Sequence, residues 1–117
     1  MSPTGKTLIS EKEVEVDCLT WLNLNGWYAF KTPNRAASIN GVYIKANAMF
    51  EVGKGLQDAL AIKNGLTIYL EFKKPVGGRQ SEEQKAFQQQ IEKKAGHYLL
   101  IRSKEELLIK LRERDLL

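Results

Sequence analysis

Cysteine is nearly absent from this chain: Cys18 is the only one in 117 residues. An internal disulfide and a cysteine-built zinc cluster are thereby excluded. Histidine is equally scarce. His97 stands alone at the start of an apolar run, nothing in the pattern sets a nucleophile beside it, and it reads as structural. A Ser-His-Asp or Cys-His system therefore has no support. No P-loop and no G-x-G-x-x-G is present, so a bound nucleotide cofactor is not expected. No apolar stretch approaches membrane-spanning length, and the segment from Met1 to Ser10 lacks the apolar centre of a signal peptide. The expectation is a protein that is neither secreted nor membrane-bound. Acidic residues are missing from Lys31 to Phe50, whereas Lys31, Arg35 and Lys45 are present. Lys54, Lys63, Lys73, Lys74 and Arg79 follow. With a net charge of +4, that distribution fits either a surface for a polyanion or a solvated basic loop.

What is present is the composition of one globular domain, 1–117, at 43% apolar. Residues 1–9 read as a flexible lead-in. Ser10-Glu11-Lys12-Glu13 has the form of a capping box, and Val14, Cys18, Trp21 and Leu22 recur at helical spacing until Gly26. Cys18 on that stripe reads as a buried, inert thiol. Trp27–Lys31 reads as a strand stopped at Pro33. Val42–Lys45 forms a short strand in this reading, and the rest of 33–53 is expected to be a mobile loop. A hairpin spans 57–63 and 66–73. Ser81-Glu82-Glu83-Gln84 caps a second helix that ends at Gly96, with Gln84, Phe87, Gln88, Ile91 and Ala95 facing inward. His97–Arg102 is a last strand, and Ser103-Lys104-Glu105-Glu106 caps a third helix with Leu107, Leu108 and Leu111 facing in. The order is α-β-(β)-β-β-α-β-α, an α/β fold with a central sheet flanked by helices.

The hairpin organises the rest. Asn64-Gly65 between two apolar runs is the signature of a type I′ turn, which needs φ > 0 at both turn residues. A two-residue loop pairs Lys63 with Leu66 and, followed down the ladder, sets Asp58 opposite Glu71. Facing Cβ atoms lie roughly 5 Å apart, so the two carboxylates repel unless one is protonated or a cation lies between them. A hard divalent ion, Mg²⁺ or Mn²⁺, is the simplest such cation. Lys73, two residues beyond Glu71, shares its face and adds a positive charge for a developing oxyanion. Each of these residues also has a plainer reading. Asp58 can cap a turn, Glu71 can guard an edge strand, and Lys73 can be a solvated strand end. Glu11 can serve the helix dipole, although it shares a stripe with Val14, Cys18 and Leu22. Gln84 can be only the capping partner of Ser81.

Together, Glu11, Gly55-Leu56-Gln57-Asp58, Glu71-Phe72-Lys73 and Gln84 resemble the signature of the VRR-NUC domain, a branch of the PD-(D/E)xK, or restriction-endonuclease-like, superfamily. The resemblance spans nearly the whole chain. It implies a restriction-endonuclease-like fold, with Asp58, Glu71 and the Phe72 backbone carbonyl as metal ligands. Lys73 would orient or activate the attacking water, and Gln84 and Glu11 would complete the site. It also implies an Mg²⁺- or Mn²⁺-dependent endonuclease that acts on Holliday junctions or other branched DNA as a homodimer, in the cytoplasm of a bacterial or virus-infected cell. Lys31, Arg35, Lys45, Lys54, Lys74 and Arg79 would hold the DNA backbone. The Val-Arg-Arg that names the family is not present, and Gln57 stands where the family has proline. A different PD-(D/E)xK nicking or restriction-type enzyme, and a DNA-binding protein without catalysis, are the alternatives.

Overall fold

The computed structural model describes residues 9–32, 37–39, 42–44 and 55–117, with 37–39 and 42–44 described as backbone. The elements are α1 (Glu11–Leu24), β1 (Tyr28–Lys31), β2 (Ala37–Ile39), β3 (Val42–Ile44), β4 (Ala59–Lys63), β5 (Leu66–Phe72), α2 (Glu82–Lys93), β6 (His97–Ile101) and α3 (Lys104–Glu113). The fold is mixed α/β, as the periodicity predicts. Its main sheet has the order β1-β4-β5-β6, antiparallel except for the parallel pair β5–β6. The short β2–β3 hairpin forms a separate two-stranded sheet. Its strand β2 is one more than the sequence pattern anticipates; Ala37-Ser38-Ile39 is too short to show a period.

The Asn64-Gly65 turn has φ of 51° and 79°, as a type I′ turn requires, and fixes the expected pairs from Lys63↔Leu66 to Ala59↔Leu70. Alternation along β5 then sorts its side chains. Ile68, Leu70 and Phe72 join Val14, Cys18 and Leu22 of α1 and Leu107 and Leu111 of α3 in one apolar core. Tyr69 and Glu71 emerge on the opposite face, where Phe87 of α2 packs edge-on against Tyr69 and Tyr98. The sheet is thus covered by α1 and α3 on one side and by α2 on the other. All three helices start at a serine whose hydroxyl accepts from the backbone three residues on. In α3 the box is incomplete. The Glu106 carboxylate turns to the Arg102 N–H (2.6 Å) instead of the Ser103 N–H.

The expected stripe on α2 is correct in phase but shallow: Gln84, Phe87, Gln88 and Ile91 are half-buried, Ala95 is exposed, and no α2 residue is fully buried. Cys18 has no exposed surface, and burial, reinforced by the charges of Asp17, Glu105 and Glu106, pushes its thiol up to about 12. The nucleophile in disulfide exchange is the thiolate, and at pH 8 only about one molecule in ten thousand would carry it. We expect no reaction of the native protein with an aromatic disulfide reagent at pH 8 over an hour, and one thiol per chain in denaturant. Prompt labelling of the native chain would mean that α1 does not seat as described.

Candidate metal centre

Glu71 anchors the site. Its side chain is wholly buried, on the sheet face that α2 covers. Strand alternation brings Lys73 to the same face, and its ammonium lies 3.5 Å from Glu71 Oε2 with the side chain only 13% exposed. The other oxygen, Oε1, accepts from the Tyr98 hydroxyl at 2.5 Å and from Gln80 Nε2 at 3.0 Å. Burial, and then the hydrogen bond and charge of Glu71, hold the Tyr98 phenol well above its usual range. Oε2 is buried and makes no hydrogen bond to a described residue. A buried carboxylate oxygen with only an ammonium 3.5 Å away is costly to desolvate, and a cation is the partner its chemistry fits.

Asp58 arrives differently from the expectation. The ladder closes at Ala59↔Leu70, so Asp58 does not pair squarely with Glu71. Its N–H donates to the Leu70 carbonyl (2.8 Å), while its Oδ2 accepts from the Phe72 N–H (2.7 Å). On its other side the β1 ladder continues in register, the Thr32 N–H donating to the Asp58 carbonyl, also at 2.8 Å, so the departure is confined to the β5 side. The carboxylate therefore bends over the end of β5 instead of standing beside Glu71 on the pleat. The two acids still feel each other. Burial pushes the Asp58 carboxyl up from its usual value, the Phe72 N–H pulls it back, and the charges of Glu11 and Glu71 raise it further against Lys73. The Phe72 N–H points to Asp58, while its neighbour Lys73 donates to Ile101 on the other side. In an extended strand a residue's N–H and C=O share a side, so the Phe72 carbonyl also faces the Asp58 side, as a ligand there must.

Other expected members fall elsewhere. Glu11 is exposed at the first turn of α1, not buried on the inward stripe; its charge reaches Asp58 only through space. Glu15, one turn on, is the buried acid of that helix, and it pairs with Lys31 (3.2 Å) and Lys12 (3.6 Å). Glu15 shares the helical face of Glu11 at i+4, and of the two it is the one buried against Lys31. Gln84 closes the capping box onto the Ser81 N–H (2.8 Å), and the glutamine that touches Glu71 is Gln80. Gln80 lies in a loop with no periodicity to betray it. Tyr98 carries a fainter signal, as the one hydroxyl in the strand His97–Ile101. Among the described residues no three of His, Cys, Asp and Glu gather at ligating distance. A cation held by Asp58 and Glu71 would complete its shell with carbonyl, water and substrate oxygens, which is how Mg²⁺ is usually held.

The approach to Asp58 is tightly built. Gly55 has φ of +89°, and a Cβ there would collide with the backbone of Glu83 and Gln84 in the first turn of α2. Gln57, 2% exposed, donates to Thr32 Oγ1 at 3.2 Å and so ties this segment to the end of β1. Of the basic residues, Lys74 and Arg79 are exposed on the loop that follows β5. Lys31 is held by Glu15, which raises its pKa, so a phosphate must compete with that carboxylate. Arg35, Lys45 and Lys54 lie outside the described residues. No helix among the described residues is long and apolar enough to cross a membrane. The sequence matches no protein-family model and no curated protein.

Proposed function

We propose that this chain is a metal-dependent endonuclease of the VRR-NUC type, with a restriction-endonuclease-like fold, that hydrolyses phosphodiester bonds in branched DNA such as Holliday junctions. The observation that carries the reading is Glu71 Oε2: fully buried, without a hydrogen bond to a described residue, beside Lys73, on the strand whose next N–H is held by the Asp58 carboxylate. Asp58 and Glu71, with the Phe72 carbonyl, would hold Mg²⁺ or Mn²⁺. Such an ion supplies an activated water and neutralises charge growing on the phosphate. Lys73 holds the attacking water in line and offers its ammonium to the developing oxyanion. Lys74 and Arg79 flank the site and hold the DNA backbone, a contact that weakens as salt rises. Symmetric cutting of two strands calls for two copies of this single-site domain, hence a homodimer.

The test is incubation with a four-way junction, a flap and a linear duplex in Mg²⁺, in Mn²⁺ and in chelator. Metal-dependent cuts in the branched substrates, weaker on linear duplex, are expected. Metal-dependent cleavage that favours linear duplex would make it a nicking or restriction-type enzyme instead. Junction binding with no cleavage in either metal would leave a DNA-binding protein and end the enzymatic reading.

A further inference from the structure

We propose that Tyr98 and Gln80 are positioning residues that commit Glu71 to hold its cation through Oε2 alone. The inference rests on the metal-site reading above. A carboxylate oxygen offers two in-plane lone pairs. Both on Oε1 are occupied, one by the Tyr98 hydroxyl at 2.5 Å and one by the Gln80 amide at 3.0 Å. Oε2 has neither donor and faces Lys73. The amide's orientation is fixed by its neighbours. Gln80 Nε2 lies between two acceptors, Glu71 Oε1 and Gln88 Oε1 (2.7 Å), and only an NH₂ group satisfies both. Gln88 in turn donates to Glu92 at 3.0 Å. The loop glutamine is thus braced by α2, while Tyr98 is held from β6 with its ring against Phe87. Rotating the carboxylate to present both oxygens would break hydrogen bonds to two separate elements.

The consequence is selectivity between cations. Mg²⁺ and Mn²⁺ accept one oxygen per carboxylate in an octahedral shell. Ca²⁺ takes more ligands and gains from a carboxylate that binds through both oxygens. Outer partners that orient a ligand are worth about 10–100-fold in metal affinity. The experiment uses the full chain without DNA: Mn²⁺ binding by electron paramagnetic resonance, Ca²⁺ as competitor, and thermal melts to confirm the fold. The expected result is a Mn²⁺ Kd raised about tenfold in Tyr98→Phe and in Gln80→Leu. In the double variant the preference for Mn²⁺ over Ca²⁺ should narrow at least about fivefold. If Tyr98→Phe does not fold, Gln80→Leu, a loop substitution, carries the test alone. Unchanged Mn²⁺ affinity overturns the inference. So does a parallel loss of Mn²⁺ and Ca²⁺ with their ratio intact, because loosened packing alone would give that. A parent chain that binds no Mn²⁺ overturns the metal site itself and this inference with it.

Discussion

Asp58→Asn should cut cleavage on the order of a thousandfold and, at the same time, raise the melting temperature of the metal-free protein by a few degrees. The loss follows if Asp58 is a ligand, since an amide is a poor partner for a hard divalent cation. The gain follows from the surroundings of Asp58. Burial and the charges of Glu11 and Glu71 push the Asp58 carboxyl above its usual value, against the Phe72 N–H and the charges of Lys73 and Lys31. The sign is fixed by linkage. With the folded value above the unfolded one, the folded chain holds the proton more tightly. This group therefore favours the fold at low pH, and that contribution is lost as pH rises through the folded value. At neutral pH the ionised carboxylate is a net cost, which asparagine removes while its side-chain oxygen still accepts from Phe72. About 1 kcal/mol corresponds to roughly 4 °C in a domain of 117 residues. Differential scanning calorimetry in chelator, at pH 7 and again near pH 4, is the measurement. The variant's advantage should shrink at the lower pH. A variant that melts below the parent at pH 7 would show that Asp58 serves the fold and not a ligand.

Lys73→Met should produce a protein that cleaves no DNA and is destabilised by about 3 kcal/mol without metal, because it strands a wholly buried carboxylate whose ammonium partner lies at 3.5 Å. Methionine keeps the aliphatic bulk, so the loss reports charge more than packing. Manganese should restore much of that stability, since a ligand that binds only the folded chain stabilises it by mass action, about 2.7 kcal/mol at a hundred times its Kd. Activity should stay absent, because the ion replaces the ammonium as a counter-charge and not as the group that orients water. Melting curves with and without manganese, alongside junction cleavage, separate these effects. A variant as stable as the parent in chelator would show that the Lys73–Glu71 pair carries little.

The fold was legible where one local rule decided the outcome. Serine caps at 10, 81 and 103 set the starts of three helices, and Asn64-Gly65 set both strands of the hairpin and their register. Glu71 and Lys73 shared a face because alternation along one strand is local too. The site departed from the pattern where several elements meet. At Asp58 the pairing with β5 breaks, because the Asp58 carboxylate takes the Phe72 N–H that a ladder carbonyl would otherwise accept. No count along a hairpin contains that contact. Glu11 and Glu15 share a helical face, so a helical wheel does not tell them apart; Glu15 is the one buried and paired with Lys31. Gln80 beats Gln84 to Glu71 because the capping box claims Gln84 first, and only the path of the loop after Gly78 decides it.

The bend at Asn64-Gly65 points away from all of this. A Cβ built at Gly65 meets nothing within 4 Å, and at about 3.3 Å per residue the tip stands roughly 20 Å along the strand from Asp58. A dye or a surface tether attached beside this turn, with Gly65 left as the glycine its φ of +79° favours, would ride on the ribbon that carries Asp58 and Glu71 while standing well away from them. The molecule thus offers its own handle, and under the nuclease reading one for watching single cutting events.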